Sequence, residues 1–209
     1  ILDQTESIFD KEFADAPAQG SRVDKDTGSE VPLKPWAEVC TTLQDLDTST
    51  VHFVRVPENH IVIDFDLRGD DGEKSMERNL EAASQWPATY AEFSKSGSGI
   101  HLHYRYTGDI SKLSRVYSDG IEIKVFTGNA SLRRKLSLCN SVPIATLNGG
   151  LPEKEKKVIN QKAVASERAI RDLIIMNLRK EIQPGTKPSI DFINKILEDA
   201  YNSGMPYDV

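Results

Sequence analysis

Cysteine is scarce in this chain of 209 residues: only Cys40 and Cys139 are present, far apart in sequence. Two thiols at that distance exclude a disulfide scaffold or a cysteine-rich zinc site, and read as ordinary buried or half-buried thiols of a reducing cytosol. Long apolar runs are missing as well. No stretch approaches the roughly 20 residues that span a bilayer, and no signal-peptide pattern is present, so no membrane partner is expected. The chain begins with Ile rather than Met, as a processed or excised piece would, and targeting information could lie outside it. Aromatics make up only 7%, few for a sheet that stacks bases. Positive charge is not in excess either: the net charge of −6 argues against a generally basic nucleic-acid binder.

The charge is unevenly spread. Residues 1–50 carry a net charge of −7, residues 51–150 are balanced, and residues 151–209 carry +1. Between 94 and 135, eight basic residues face three acidic ones. A local positive surface binds phosphates even on an acidic protein, so the basic chemistry is expected there.

The length suits one sizeable domain with an appendage. Residues 1–32 are polar and acidic and are expected to be loosely structured, with a short helix near Ile8–Phe13. Trp36 to Leu43 reads as a helix with Pro35 at its first turn. Strands are expected at Val51–Val56, His60–Leu67, Ala88–Phe93, His101–Tyr106 and Ile121–Phe126, with a basic connector containing Lys112 and Arg115 between the last two. Ser75 is placed to cap a helix that runs to about Gln85, with Met76, Leu80 and Ala83 on one face and Trp86-Pro87 at its end. After Gly149-Gly150 the pattern turns helical, with apolar spacing in Ala165–Ile182 and again in Ser189–Asn202. The fold class is α+β: a mixed or antiparallel sheet over 1–150, then a small helical domain over 151–209.

Ile61-Val62-Ile63-Asp64-Phe65-Asp66 is the most informative stretch. Residues i and i+2 of a strand share a face, so Asp64 and Asp66 project together. Paired carboxylates repel unless a cation sits between them, and Mg²⁺ or Mn²⁺ is the hard ion for such oxygen ligands. The other reading is a strand end where two exposed aspartates begin a loop. Ser94-Lys95-Ser96-Gly97-Ser98-Gly99 comes next, followed by His101. Glycines let backbone approach a ligand closely, and successive amides make an anion nest, which suits a triphosphate; a plain Gly/Ser hairpin loop is the alternative. In Ile121-Glu122-Ile123-Lys124, Glu122 is placed to complete a metal site with the two aspartates. A surface ion pair between Glu122 and Lys124, which share a face, is the competing reading.

Taken together, VIDFD, SGSGIHLHY and GIEIKV resemble, in order and spacing, the three motifs of the archaeo-eukaryotic primase superfamily, in its phage and plasmid primase-polymerase branch. The resemblance covers about residues 50–150, and the following FTGNASLRRKL is similar to a stretch common after the third motif. The resemblance implies an RRM-like catalytic core. It implies template-dependent nucleotidyl transfer, as a DNA primase, a DNA polymerase or both, from NTP or dNTP on single-stranded DNA. Asp64, Asp66 and Glu122 would ligate two Mg²⁺ or Mn²⁺ ions, with His101 as the fourth catalytic residue, touching the nucleotide phosphates. Lys95, Ser96, Ser98, Lys124, Arg133 and Arg134 would contact the triphosphate or the template backbone. A bacterial host cytoplasm and a helicase region in the full protein would follow by analogy.

Two other functions compete. A nuclease could use His101-Leu102-His103 as a His-hydrophobic-His metal pair with Tyr117 as nucleophile, or Asp64 with Glu122-Ile123-Lys124 as an acid–ExK site. A non-catalytic nucleic-acid-binding module is the third reading, in which Tyr104 and Tyr106 are core or near-core residues.

Overall fold

The computed structural model describes residues 1–154, 166–179, 193–194 and 196–198. The chain divides into two units, Ile1–Lys154 and Glu155–Val209. The first unit is α+β and built on two mostly antiparallel sheets.

Residues 1–32 are ordered where loose structure was expected, and the short helix expected near Ile8–Phe13 is present. They form α1 (Ile8–Glu12), β1 (Ala18–Val23) and β2 (Glu30–Pro32). Ser7 caps α1 by accepting a hydrogen bond from the Asp10 amide at 3.1 Å. Phe9 and Ala18 are fully buried. The acids of this segment mostly face solvent while its few apolar side chains anchor it, each buried large side chain contributing about 1.5–3 kcal/mol. Composition averages over the two populations and so misreads the segment.

β1 pairs antiparallel with β2 and with β3 (His52–Val54), and β3 pairs with β9 (Leu132–Arg134) to complete the smaller sheet. The stretch from Trp36 to Leu43 is not a helix. It holds a 3₁₀ turn at Trp36–Glu38, with a second at Leu43–Asp45. Its backbone is claimed elsewhere: the Ala18 amide donates to Thr41 O and the Leu43 amide to Ala16 O. The Asp45 carboxylate meanwhile caps Thr42.

The larger sheet centres on β4 (His60–Phe65), flanked by β6 (Ile100–Tyr106) and β8 (Ile121–Val125). β7 (Val116–Ser118) lies outside β8; β5 (Ala91–Phe93) and β10 (Ala145–Leu147) both pair with β6, β10 in parallel. One face carries Ile61, Ile63, Phe65, Leu102, Tyr104 and Ile123 into a core shared with Trp86 and with Ala82 and Ala83 of α2 (Met76–Ser84). The other face sends Val62 into a second core with Phe9, Tyr90, Phe126 and Leu132. β4 is therefore buried on both sides, and Asp64 is its only half-buried residue. Tyr104 and Tyr106 are core residues, as expected.

The helix α2 starts at Ser75 as expected, but its buried residue is Asn79, while Met76 and Leu80 are exposed. Asn79 is held inside by two hydrogen bonds. Its Oδ1 accepts from the Leu67 amide at 2.8 Å and its Nδ2 donates to Ser98 O at 2.8 Å. A satisfied buried amide tolerates the interior, and an unsatisfied one does not.

In the second unit, α3 spans Glu167–Leu178, inside the expected helix, and buries Ile170. Most of the expected second helix lies outside the described residues; of the described ones, 193–194 and 196–198 are helical. Whether 151–209 forms a bundle therefore falls outside them too. No helix among the described residues is long and apolar enough to cross a membrane.

Candidate functional site

Strand register places the key side chains in one row. Asp64 of β4 lies directly opposite His101 of β6 on one side and Glu122 of β8 on the other, and His101 lies opposite Glu92 of β5. Residues directly opposite one another in a sheet share a face. Glu92, His101, Asp64 and Glu122 therefore cross four strands on the same side. Asp66 stands just past the end of β4, with its amide donating to Gly120 O at 2.7 Å.

Asp64, Asp66 and His101 line one cavity of about 250 Å³ together with Lys74, Ser94, Lys95, Ser96 and Arg133. Three cations and two serine hydroxyls thus surround two carboxylates and an imidazole. Glu122 is not in this lining. It is exposed and lines a neighbouring cavity of about 370 Å³ with Arg115 and Lys124. Lys124 joins the two: its Nζ bonds the Glu122 carboxylate and lies 3.5 Å from Asp64 Oδ2. Lys74 holds Asp66 at 2.6 Å. Each carboxylate of the expected metal set therefore has an ammonium beside it, the kind of compensation that closely placed acids require.

The Gly/Ser loop is closed by a hydrogen bond from the Ser94 amide to Gly99 O at 2.8 Å, with Gly97 at φ +80°. Gly99 admits no side chain: a Cβ there would come within 2.7 Å of Ser94 Oγ and 2.8 Å of Asp66 Oδ1. The loop backbone thus packs directly against the second aspartate. Ser96 faces the cavity; Ser98 does not line it, and its hydroxyl lies 3.3 Å from that of Ser96. Lys95 pairs with Glu30 at 2.6 Å, and Arg133 lies 3.9 Å from the same carboxylate.

Arg134, expected at a phosphate, is elsewhere. It is fully buried, with Nε donating to both Glu92 oxygens at 2.9 and 2.8 Å. Its other nitrogens bond Asp10, Ser7 Oγ and Tyr90 Oη, and its guanidinium lies 4.4 Å from the Phe9 ring centre. Adjacent residues of a strand point to opposite faces. Arg133 therefore takes the cavity and Arg134 the interior. Tyr117 is also misplaced for the nuclease reading. It packs on Trp86 at 4.8 Å, and Trp86 packs on Phe65, on the face opposite Asp64 and His101.

His101 sits between two carboxylates. Its Nε2 is 3.4 Å from Asp64 Oδ1 and its Nδ1 is 3.8 Å from Glu92 Oε1, ionic contacts that fall short of hydrogen-bond geometry. Burial pushes its pKa down, but the two carboxylates outweigh burial and raise it to about 9. Burial pushes Asp64 up, and His101 with Lys124 hold it below the usual carboxylate range. Burial likewise pushes Glu92 up, but Arg134 and the two histidines bring it well below that range. Behind them, His60 Nε2 and His103 Nδ1 share a hydrogen bond of 3.0 Å. Burial lowers the pKa of both, keeping the pair neutral.

These shifts set a stability profile for metal-free protein. His101, raised from 6.5 to about 9, contributes stability that is complete below 6.5 and lost as pH climbs through 9. His60 and His103, lowered from 6.5, contribute stability that is complete above 6.5 and lost as pH falls below it. Urea midpoints measured in EDTA should therefore peak near neutrality and fall between about pH 7 and 9. His101→Asn should flatten that alkaline fall.

Glu92, His101 and His103 each offer one atom within 4.8 Å of the others, a group that could hold a metal ion. Asp64 Oδ1, His101 Nδ1 and His103 Nε2 are buried without hydrogen-bond partners among the described residues. The orphaned oxygen of Asp64, next to Asp66, fits a hard cation; the two orphaned nitrogens belong to the Glu92 group. Glu92, Lys74 and Asn79 lie in no motif that marks them in the sequence. Glu92 lies on an expected strand, but only pairing with β6 reveals which way it faces.

No protein-family model matches the chain, and no curated protein matches it.

Proposed function

We propose that residues 1–154 form a template-dependent nucleotidyltransferase, a DNA primase or polymerase with an RRM-like core of the archaeo-eukaryotic primase type. The observation that carries this reading is one cavity shared by Asp64, Asp66 and His101 with Lys74, Lys95 and Arg133. Paired acids beside a ring of cations suit a reaction in which a hydroxyl oxygen bonds to the α-phosphorus of a nucleoside triphosphate as its bond to pyrophosphate breaks.

In this reading Lys95, Arg133, Ser96 and His101 bind the triphosphate of an incoming NTP or dNTP. Protonated His101, flanked by carboxylates, donates from its ring to a phosphate oxygen when the nucleotide enters. Asp64 and Asp66, with Glu122 across the strand, would hold two Mg²⁺ or Mn²⁺ ions, which would supply activation of the attacking hydroxyl and stabilisation of the leaving pyrophosphate. Lys124 belongs to that site, because it links Asp64 to Glu122. A single-stranded DNA template, a phage or plasmid replication setting and an adjoining helicase region belong to the same proposal. The nuclease with Tyr117 as nucleophile loses its support, since Tyr117 packs on the other face.

A denaturing-gel assay of the full chain on primed and unprimed single-stranded DNA tests this, with NTP or dNTP and with Mg²⁺ or Mn²⁺. Lengthening that needs both nucleotide and metal is expected. Shortening or nicking without nucleotide would move the site to a nuclease. DNA binding with neither activity, and with no metal requirement, would leave a binding module.

A further inference from the structure

We propose that Glu92, pinned by Arg134, is a positioning residue that fixes the orientation of the His101 ring toward the triphosphate cavity. The inference rests on the nucleotidyltransferase reading and deepens it.

The imidazole of His101 turns about a single soft torsion, so its direction depends on what its two nitrogens meet. One meets Asp64 at 3.4 Å and the other Glu92 at 3.8 Å, each carboxylate standing on a neighbouring strand. Asp64 lines the cavity and is committed to substrate and metal, whereas Glu92 does not line it. Glu92 is the stationary side of the clamp. Only 1% of its side chain is exposed, both oxygens accept from Arg134 Nε, and Oε2 also accepts from Tyr90 Oη at 2.9 Å. Arg134 is anchored in turn by Ser7 and Asp10 of the N-terminal segment and by Tyr90. A chain of polar contacts thus runs from α1, through β9 of the smaller sheet, to β5 and the catalytic histidine.

The same carboxylate is one corner of the Glu92, His101 and His103 group. Its charge is already matched there by a buried guanidinium. A divalent ion added beside Arg134 would meet like charge in a low-dielectric interior. Orientation of His101 is therefore the role we assign to Glu92.

The test is a double-mutant cycle on the full chain with primed template, dNTP and Mn²⁺. Glu92→Gln should raise the KM for dNTP about tenfold, by letting the ring drift from its working geometry. It should leave the Kd for primed template unchanged. In a His101→Ala background the same change should have almost no further effect on KM, because the ring it orients is gone. Tyr90→Phe removes one donor to Glu92 while keeping the ring that packs on Phe9 and His103. It should raise KM about threefold, and it serves where Glu92→Gln fails to fold. KM effects that simply add to those of His101→Ala, or an unchanged KM in folded Tyr90→Phe protein, would overturn the proposal. So would stoichiometric Zn²⁺ or Mn²⁺ binding that survives Asp64→Asn and disappears in His103→Ala. Wild-type protein that neither binds dNTP nor extends a primer would remove the function itself, an outcome distinct from additivity in active enzyme.

Discussion

Asp64→Asn should lower primer extension by at least about 100-fold, two powers of ten being roughly 2.7 kcal/mol of lost transition-state stabilisation. Asp64 is the pivot of the row, opposite both His101 and Glu122 and side by side with Asp66 in the cavity. The amide keeps the shape and removes the charge. His101 and Lys124, which now balance that charge, would face a neutral group. Asp64 is half-buried at the open end of β4, while Ile61, Ile63 and Phe65 hold the strand in place. The circular dichroism spectrum should therefore match wild type, and Mn²⁺ affinity should fall along with activity. Undiminished extension by purified, folded Asp64→Asn protein would remove Asp64 from the metal site and with it the paired-acid centre.

Arg134→Met should act on stability first. Breaking a buried pair by removing one partner typically costs about 3–5 kcal/mol, because the other charge stays behind. Here Glu92 would keep its carboxylate in the interior with Tyr90 and the longer contacts to His101 and His103 but no guanidinium, and Asp10 and Ser7 would each lose a partner. Without the guanidinium, burial would push the Glu92 pKa upward, or the segment around α1 would come loose. The urea midpoint should drop sharply, and adding Glu92→Leu should restore part of the loss, since a matched apolar pair tolerates burial. The expectation drawn from the LRRK sequence, a phosphate contact, predicts the reverse. It calls for normal stability, weak nucleotide binding and no rescue by Glu92→Leu. Arg133→Ala is the natural comparison: its side chain is half exposed and lines the cavity, so nucleotide affinity should fall with little change in stability.

Local chemistry alone determined a good deal about this protein. The apolar, β-prone run through Asp64 announced a strand with paired acids, Ser75 announced the start of α2, and the Gly/Ser loop announced a turn ending at a histidine. These signals depend on periodicity, capping and turn geometry, which operate over a few residues. The α+β class was legible for the same reason. Tertiary structure decided the rest, because each remaining point depends on contacts between distant segments. Pairing of β5 with β6 turned Glu92 inward beside His101, and antiparallel register put Glu122 opposite Asp64. Alternation along β9 sent Arg133 to the cavity and Arg134 to the core, a choice that two adjacent arginines cannot reveal until the strand has a partner. The N-terminal 32 residues read as loosely structured apart from one short helix, yet Phe9 and the Ser7 and Asp10 contacts to Arg134 order them. Burial of a few side chains against a distant arginine outweighs average composition.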